Sequence, residues 1–256
     1  MARPVAQPRS RRQRRAALRA RHADTVRARN VPWRSPVVLT TLGAVIVGVA
    51  IIAVAAGFRL GSAPRPLAAP TTSYAGLPVH GTTVGAASAP VVMQIYSDFQ
   101  CPICERFLTT ELPGLLRDFV TPGTLRIESH DIDVVDRAGG RESLELAIGG
   151  ACATDQDAYW PYHDLVFWNQ GPENSGYHDS AFIDRVAVAA GLDQARFDSC
   201  RARSDVRQGV LTATSTALAA GIDATPTIVV NDRRFTGLPD YGQLSSSIRQ
   251  LAAAAS

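Results

Sequence analysis

Two cysteines separated by two residues, Cys101-Pro102-Ile103-Cys104, stand between an apolar run and a helical pattern. Val91-Val92-Met93-Gln94-Ile95-Tyr96 predicts a buried strand, and Glu105 to Val120 predicts a helix. That order places the first thiol at or just before a helix N-terminus. Unpaired N–H groups and the positive end of the helix dipole point at it there. Both favour the thiolate, which is the reactive form of cysteine. A C-x-x-C loop in this setting makes and breaks a disulfide, so the predicted chemistry is thiol–disulfide exchange. Zinc is the structural alternative, but it wants four ligands. The chain has no second C-x-x-C and no closely spaced histidine pair, so no metal is expected.

The N-terminal region constrains where this chemistry happens. Residues 1–34 carry eleven arginines against one acid, Asp24, and the whole chain has no lysine. Residues 35–58 carry no charge, and Val37 to Phe58 is almost entirely apolar. At about 1.5 Å per residue this run reaches about 33 Å, enough for a bilayer core of about 30 Å. The arginine excess predicts a single-pass anchor with its N-terminus cytoplasmic and the rest extracytoplasmic. A cleaved signal peptide has a shorter charged region and an apolar core of about 7–15 residues. Ser10-Arg11-Arg12 lies too far from the apolar run for a twin-arginine signal. The basic arm has no interleaved aromatic before Trp33, so it reads as a topology signal and a grip on anionic lipid, with no nucleic acid as partner. Beyond residue 34 the chain carries fifteen arginines against 22 acids. The exported part is therefore mildly acidic.

Residues 59–75 are rich in Pro, Ala, Gly, Ser and Thr and predict a tether. Residues 76–256 suit one domain. A short strand is expected near Val79–Val84, before the Val91–Tyr96 strand. The helix after the cysteines should run to about Val120 with a bend at Pro113, where a donor is missing. A strand at Thr124–His130 follows, then a helical block over about 138–220 with a loop at Asn169–Gly176. Thr227–Val230, a turn at Asn231-Asp232, Arg233–Phe235 and a closing helix from Tyr241 to Ala255 complete the order. This is an α/β domain in which strand–helix–strand and hairpin–helix flank a helical insertion, a thioredoxin arrangement.

Four cysteines allow three pairings. Cys101 and Cys104 are expected to pair, leaving Cys152 and Cys200, which are 48 residues apart. In an oxidising compartment a second, structural disulfide is expected, stabilising by about 3–4 kcal/mol. Two separate buried thiols are the alternative. Cys101 should face solvent and attack, with Cys104 buried one turn into the helix as the resolving thiol. Pro102 stiffens the loop without losing a needed donor. Ile103 offers no charge or polarity to the thiolate. Thr225-Pro226 before the apolar strand suggests a cis bond against the C-x-x-C loop, with Thr225 backbone groups open to a substrate strand. Asp98 either perturbs a thiol or serves as a cap or turn residue. His130 reads as a hydrogen-bonded residue at a strand end and His163 as packed in the helical block. His22, His80 and His178 read as surface or linker residues.

Asp98-Phe99-Gln100-Cys101-Pro102-Ile103-Cys104 with Thr225-Pro226-Thr227 resembles a DsbA-type thiol–disulfide oxidoreductase, in the branch of anchored Gram-positive and actinobacterial envelope proteins. Ala151-Cys152-Ala153, Tyr159-Trp160-Pro161-Tyr162-His163-Asp164 and Ala190-Gly191-Leu192-Asp193 extend the similarity, which covers about residues 76–252. The resemblance implies a thioredoxin fold with an inserted helical subdomain. It implies Cys101 as nucleophile, Cys104 as resolving cysteine and Pro226 as cis-proline. It further implies re-oxidation by a quinone-linked membrane partner of the DsbB or vitamin-K-epoxide-reductase type. Strongly oxidising proteobacterial members resemble Cys-Pro-His-Cys with valine before the cis-proline. Ile103 and Thr225 depart from that pattern, and the loop lacks one feature that stabilises the reduced form.

The expected function is therefore an extracytoplasmic disulfide oxidoreductase, without a cofactor, acting on reduced, unfolded exported proteins. A tethered reductase of one client runs the same reaction in reverse. An isomerase would want paired sites and a dimerisation domain, neither of which is seen. A thioredoxin-fold binding module with a structural disulfide is the reading from a different class.

Overall fold

The computed structural model describes residues 66–255, together with Thr40, Ala44, Val45 and Val47 to Val49, which are helical. The rest of the expected anchor at 35–58, the arm at 1–34 and positions 59–65 of the expected tether lie outside the described residues. Among the described residues no helix is long and apolar enough to cross a membrane.

One six-stranded sheet organises the domain, in the order β1-β2-β4-β3-β5-β6. Its centre is β3, Val91–Ser97, where Val91, Met93, Ile95 and Ser97 are buried and the alternate residues are half-buried. That period of two fixes the register, because a one-residue slip would turn the apolar set outward. β4, Leu125–Asp131, runs parallel to β3 with Met93 beside Ile127. β5, Thr227–Val230, and β6, Arg233–Thr236, add an antiparallel hairpin on the other side of β3. The predicted strand near Val79–Val84 is a small hairpin, β1 at Val79–His80 and β2 at Thr83–Val84.

Between β3 and β4 the chain forms α1, Pro102–Thr110, with Cys104, Phe107 and Leu108 buried one turn apart on one face. The predicted helix to Val120 is interrupted more fully than a bend. It stops at Thr110, restarts as α2, Leu112–Leu115, and continues as a π-helical turn, Leu116–Val120. Pro113 removes a backbone donor at the break. The wider turn lets Leu115, Leu116, Phe119 and Val120 all reach the core.

The insertion consists of a 3-10 turn at Val135–Ala138 and five helices: α3 (Glu142–Thr154), α4 (Tyr159–Trp168), α5 (Ser180–Ala189), α6 (Gln194–Arg201) and α7 (Ser204–Ala219). Asp179 and Asp193 cap α5 and α6 by accepting from Phe182 N and Arg196 N. α8, Tyr241–Ala254, opens with a capping box of Asp240 and Gln243 and packs on β3 and α2. Gly149 in α3 is required by packing: a Cβ there would lie 2.1 Å from the hydroxyl of Tyr162, which donates to Leu146 O.

A disulfide joins Cys152 of α3 to Cys200 of α6, with Cα atoms 5.7 Å apart. It ties two insertion helices across a separation of 48 residues. Replacing both cysteines by alanine is expected to cost about 4 kcal/mol in the chain-entropy treatment. Thermal unfolding should then fall by about 10 °C for a domain of this size.

The segment read as the end of the tether is partly docked. The backbone of Ala68 donates to Asn169 Oδ1 at 2.6 Å and accepts from its Nδ2 at 3.0 Å. Tyr74 packs its ring 4.9 Å from Trp160 and donates to Asp164 at 3.1 Å. Composition hid this, because Pro, Ala and Thr signal a linker while a single aromatic supplies the anchor.

Candidate active site

Where β3 ends, Asp98, Phe99 and Gln100 turn the chain into α1, and Cys101 is its N-cap residue. The Cys101 N–H donates to Asp98 O at 3.0 Å, and its carbonyl accepts from Glu105 N at 3.1 Å as the first bond of the helix. Pro102 occupies the first helical position, where no donor is needed. Cys101 and Cys104 are not bonded to one another in this structure.

From 124 residues along the chain, the loop before β5 closes over the pair. The Thr225–Pro226 peptide is cis, and the Cys101 thiol donates to Thr225 O at 3.3 Å. Gly237 N holds the other side of this loop by donating to Pro226 O at 2.9 Å. The expectation that Cys101 faces solvent needs correction. It is only 7% exposed, because the Thr225 loop covers it, while Cys104 is fully buried. Pro102 and Ile103 are the exposed residues, Ile103 at 41%. Cys101 is thus bordered by an exposed apolar rim.

The two thiols are electrostatically unlike. The Cys101 pKa is lowered from 9.0 to about 6, chiefly by a hydrogen bond from the Cys104 thiol, opposed by burial, with the side chain of Thr225 and the backbone N–H groups of Cys104 and Ile103 adding to the lowering. Burial pushes Cys104 well above its ordinary value, and the neighbouring Cys101 thiolate pushes it the same way. Cys101 is therefore ionised at neutral pH and Cys104 is its proton donor. The helix N-terminus supplies the N–H groups, as the strand–helix order requires.

Asp98 does not point a free carboxylate at the thiols. It is buried and accepts from Gln100 N (2.9 Å), Ser143 Oγ (2.6 Å), Val134 N (2.8 Å) and Val135 N (2.9 Å). Burial raises its pKa despite these donors. Its geometry is that of a turn residue that also fastens the redox loop to the insertion. Gln100 makes a second fastening. Its amide nitrogen donates to Asp136 at 2.9 Å and Ser143 at 2.8 Å, and its oxygen accepts from Asn174 N at 2.7 Å. Gln170 makes a third, donating to Phe99 O at 2.7 Å and Cys101 O at 3.2 Å. Gln100 lies inside the motif at 98–104, so its position was legible. Gln170 and Asn174 sit in a Gly/Pro/Asn loop with no motif, and only the fold brings them to the site.

The described histidines stand elsewhere. His130 stacks on Tyr96 at 4.6 Å, and its Nε2 is buried without a hydrogen-bond partner, contrary to the bonded role expected. It borders a cavity of about 790 Å³ between β4, α3 and α7, lined by none of Cys101, Cys104, Thr225 and Pro226. His163 is buried against Phe99, Tyr159, Trp160 and Phe167. His178 is also buried, against the expectation of a surface residue, because Glu142 accepts from its backbone and meets its ring at 2.9 Å. His80 is exposed. Among the described residues no group of three metal-binding side chains forms.

This geometry, a buried cysteine pair of opposed pKa against a cis-proline loop on a sheet with a helical insertion, agrees with what the sequence matches. Residues 79–250 match the family described as Thioredoxin, more than half of the chain. The chain belongs to the thioredoxin family. Within that family it is a DsbA-type thiol–disulfide oxidoreductase. Disulfide bond formation protein D of Bacillus subtilis (strain 168) is 25% identical over 189 residues, which cover 70% of this chain and 78% of that protein. The crystal structure of oxidised BdbD from Bacillus subtilis superposes with a TM-score of 0.61 at 20% identity, covering 74% of this chain and 100% of that one. Wolbachia pipientis alpha-DsbA1 superposes with a TM-score of 0.58, also at 20% identity, covering 70% and 94%. These thioredoxin-family structures share the fold.

Proposed function

We propose that this thiol–disulfide oxidoreductase introduces disulfides into exported proteins outside the cytoplasm, held at the membrane by its N-terminal apolar segment. The observation that carries the direction is the opposition of the two thiols. Cys101 is a stabilised thiolate at neutral pH, and a thiolate exists only in the reduced form. Stabilising it favours reduction of the Cys101–Cys104 bond, hence oxidation of the client.

In the forward reaction a client thiolate attacks Sγ of Cys101, the residue of the pair that keeps some exposure. The Cys101–Cys104 bond breaks, and Cys104 leaves with the electron pair and takes a proton. The client's second thiolate then attacks the client sulfur of the mixed disulfide. Cys101 is expelled as a thiolate, and a low-pKa thiol leaves faster than an ordinary one. The client has lost two electrons and the cysteine pair has gained them. Pro102 and Ile103 offer an apolar rim to an unfolded chain, and the backbone beside Pro226 offers hydrogen bonds to an extended one. The reduced pair is returned to the disulfide by a membrane re-oxidant of the DsbB or vitamin-K-epoxide-reductase type. Support for the relation comes from the Bacillus subtilis relative named for disulfide bond formation. Support for the location comes from the arginine-rich arm and the uncharged run at 35–58.

Two measurements test this reading together. Oxidised full chain, mixed with a reduced unfolded protein that natively carries disulfides, should transfer one disulfide per molecule in a single turnover. In intact cells treated with a permeable reductant, a membrane-impermeant maleimide should label Cys101. No transfer, or labelling only after cell lysis, would overturn the proposal.

A further inference from the structure

The segment that enters the domain ends beside the redox loop through a short chain of contacts. Ala68 is bonded at both its backbone groups to the side chain of Asn169. Asn169 also donates to Leu165 O at 2.8 Å, which fastens it to the last turn of α4. The next residue, Gln170, sends its amide nitrogen to Phe99 O at 2.7 Å and Cys101 O at 3.2 Å. Four residues on, Asn174 donates its backbone N–H to Gln100 Oε1 at 2.7 Å. One loop of the insertion thereby grips three consecutive residues, Phe99, Gln100 and Cys101. Farther along the entering segment, Tyr74 is anchored on Asp164 and Trp160 of the same helix.

The geometry points to Gln170 as a positioning residue for the Cys101 thiol, held in place by docking of residues 66–74 through Asn169. The entering segment is thus a part of the site's support and is more than a spacer. The physical reason lies in what the carbonyls need. Cys101 O already accepts from Glu105 N, and Gln170 supplies its second donor. Phe99 O lies in the buried turn, and Gln170 donates to it. A buried acceptor left without a donor is costly enough to make the turn find another arrangement. The thiolate at Cys101 depends on contacts from Cys104, Ile103 and Thr225 that a small shift of this turn would misalign. The inference rests on Cys101 being the exchanging thiol, but not on the direction of exchange or the place where it happens.

The test uses the full chain with two single variants and their combination. Gln170→Ala removes the donor to both carbonyls. Ala68→Pro removes the N–H that donates to Asn169, and it lies outside the site. The readout is the titration of the Cys101 thiolate by its absorbance at 240 nm, with thermal unfolding followed on the same samples. Both variants should raise the Cys101 pKa by about half to one pK step, which lowers the thiolate fraction at pH 6 from about one half by about two- to fivefold. The double variant should shift no further than Gln170→Ala, because one change acts through the other. A lowered melting temperature with an unmoved Cys101 titration in either variant would overturn the inference. If Ala68→Pro does not fold, Asn169→Asp replaces it. That variant keeps the acceptor for Ala68 but loses the donors to Ala68 O and Leu165 O, and the same outcomes decide.

Discussion

Cys101→Ser is expected to reduce thiol–disulfide exchange to the uncatalysed background, and Cys104→Ser is expected to leave Cys101 joined to clients as stable mixed disulfides. The two outcomes differ because the sulfurs differ. Only Cys101 has any surface, and only Cys101 is a thiolate at neutral pH. A serine hydroxyl cannot replace it, since the thiolate is the nucleophile and also the leaving group. Removing Cys104 leaves an exchanging thiol with no neighbour to release the client. The mixed disulfide then persists until an external thiol arrives. Non-reducing electrophoresis with a peptide whose single cysteine is carried as a disulfide with glutathione checks both variants, because the Cys101 thiolate attacks the peptide sulfur and glutathione leaves as the thiolate. Equal trapping by the two single variants would contradict the division of roles.

The second large effect concerns the Cys101 pKa. Its first cause is the hydrogen bond from Cys104, so Cys104→Ala should raise it from about 6 toward the ordinary value of 9.0. If the shift were complete, the thiolate fraction at pH 7 would fall from about 90% to about 1%, roughly ninetyfold. Reactivity would fall much less. Nucleophilicity rises with pKa by a factor of about 10^0.45 per pK step, which returns about twentyfold over three steps. The net loss of alkylation rate at pH 7 is about fourfold. The rate is therefore a poor gauge, and the 240 nm titration is the measurement to make. A Cys101 pKa that stays near 6 in Cys104→Ala would transfer the effect to the helix N-terminus and the Thr225 loop.

Much of the fold was legible because its signals are local. The alternation Val91, Met93, Ile95 marks the central strand, and the spacing Cys104, Phe107, Leu108 marks the buried face of the helix that follows. Asn231-Asp232 marks the final turn, where Asn231 has positive φ. The dithiol and the cis-proline carry their own motifs. What escaped depends on contacts distant in sequence. The clamps on the turn at Cys101 come from Gln170 and Asn174. Burial of His178 comes from Glu142, 36 residues away. No spacing rule reads such pairs, since each residue taken alone is an ordinary polar loop residue. The tether gave the opposite error. Its composition is that of a linker, and the docking of Ala68 and Tyr74 is decided by Asn169, Asp164 and Trp160, which they meet.

The most direct test of the proposed direction is the reduction potential of the full chain, equilibrated in glutathione buffers and trapped with a thiol reagent between pH 5 and 8. A value of about −120 to −180 mV at pH 7 is expected, the range of known disulfide donors. The slope should ease from about 59 mV per pH unit below pH 6 to about 30 mV above it, as Cys101 ceases to take up a proton on reduction. A value near −270 mV, with an unbroken slope through pH 6, would contradict the oxidant reading and make the protein a reductase on the same fold.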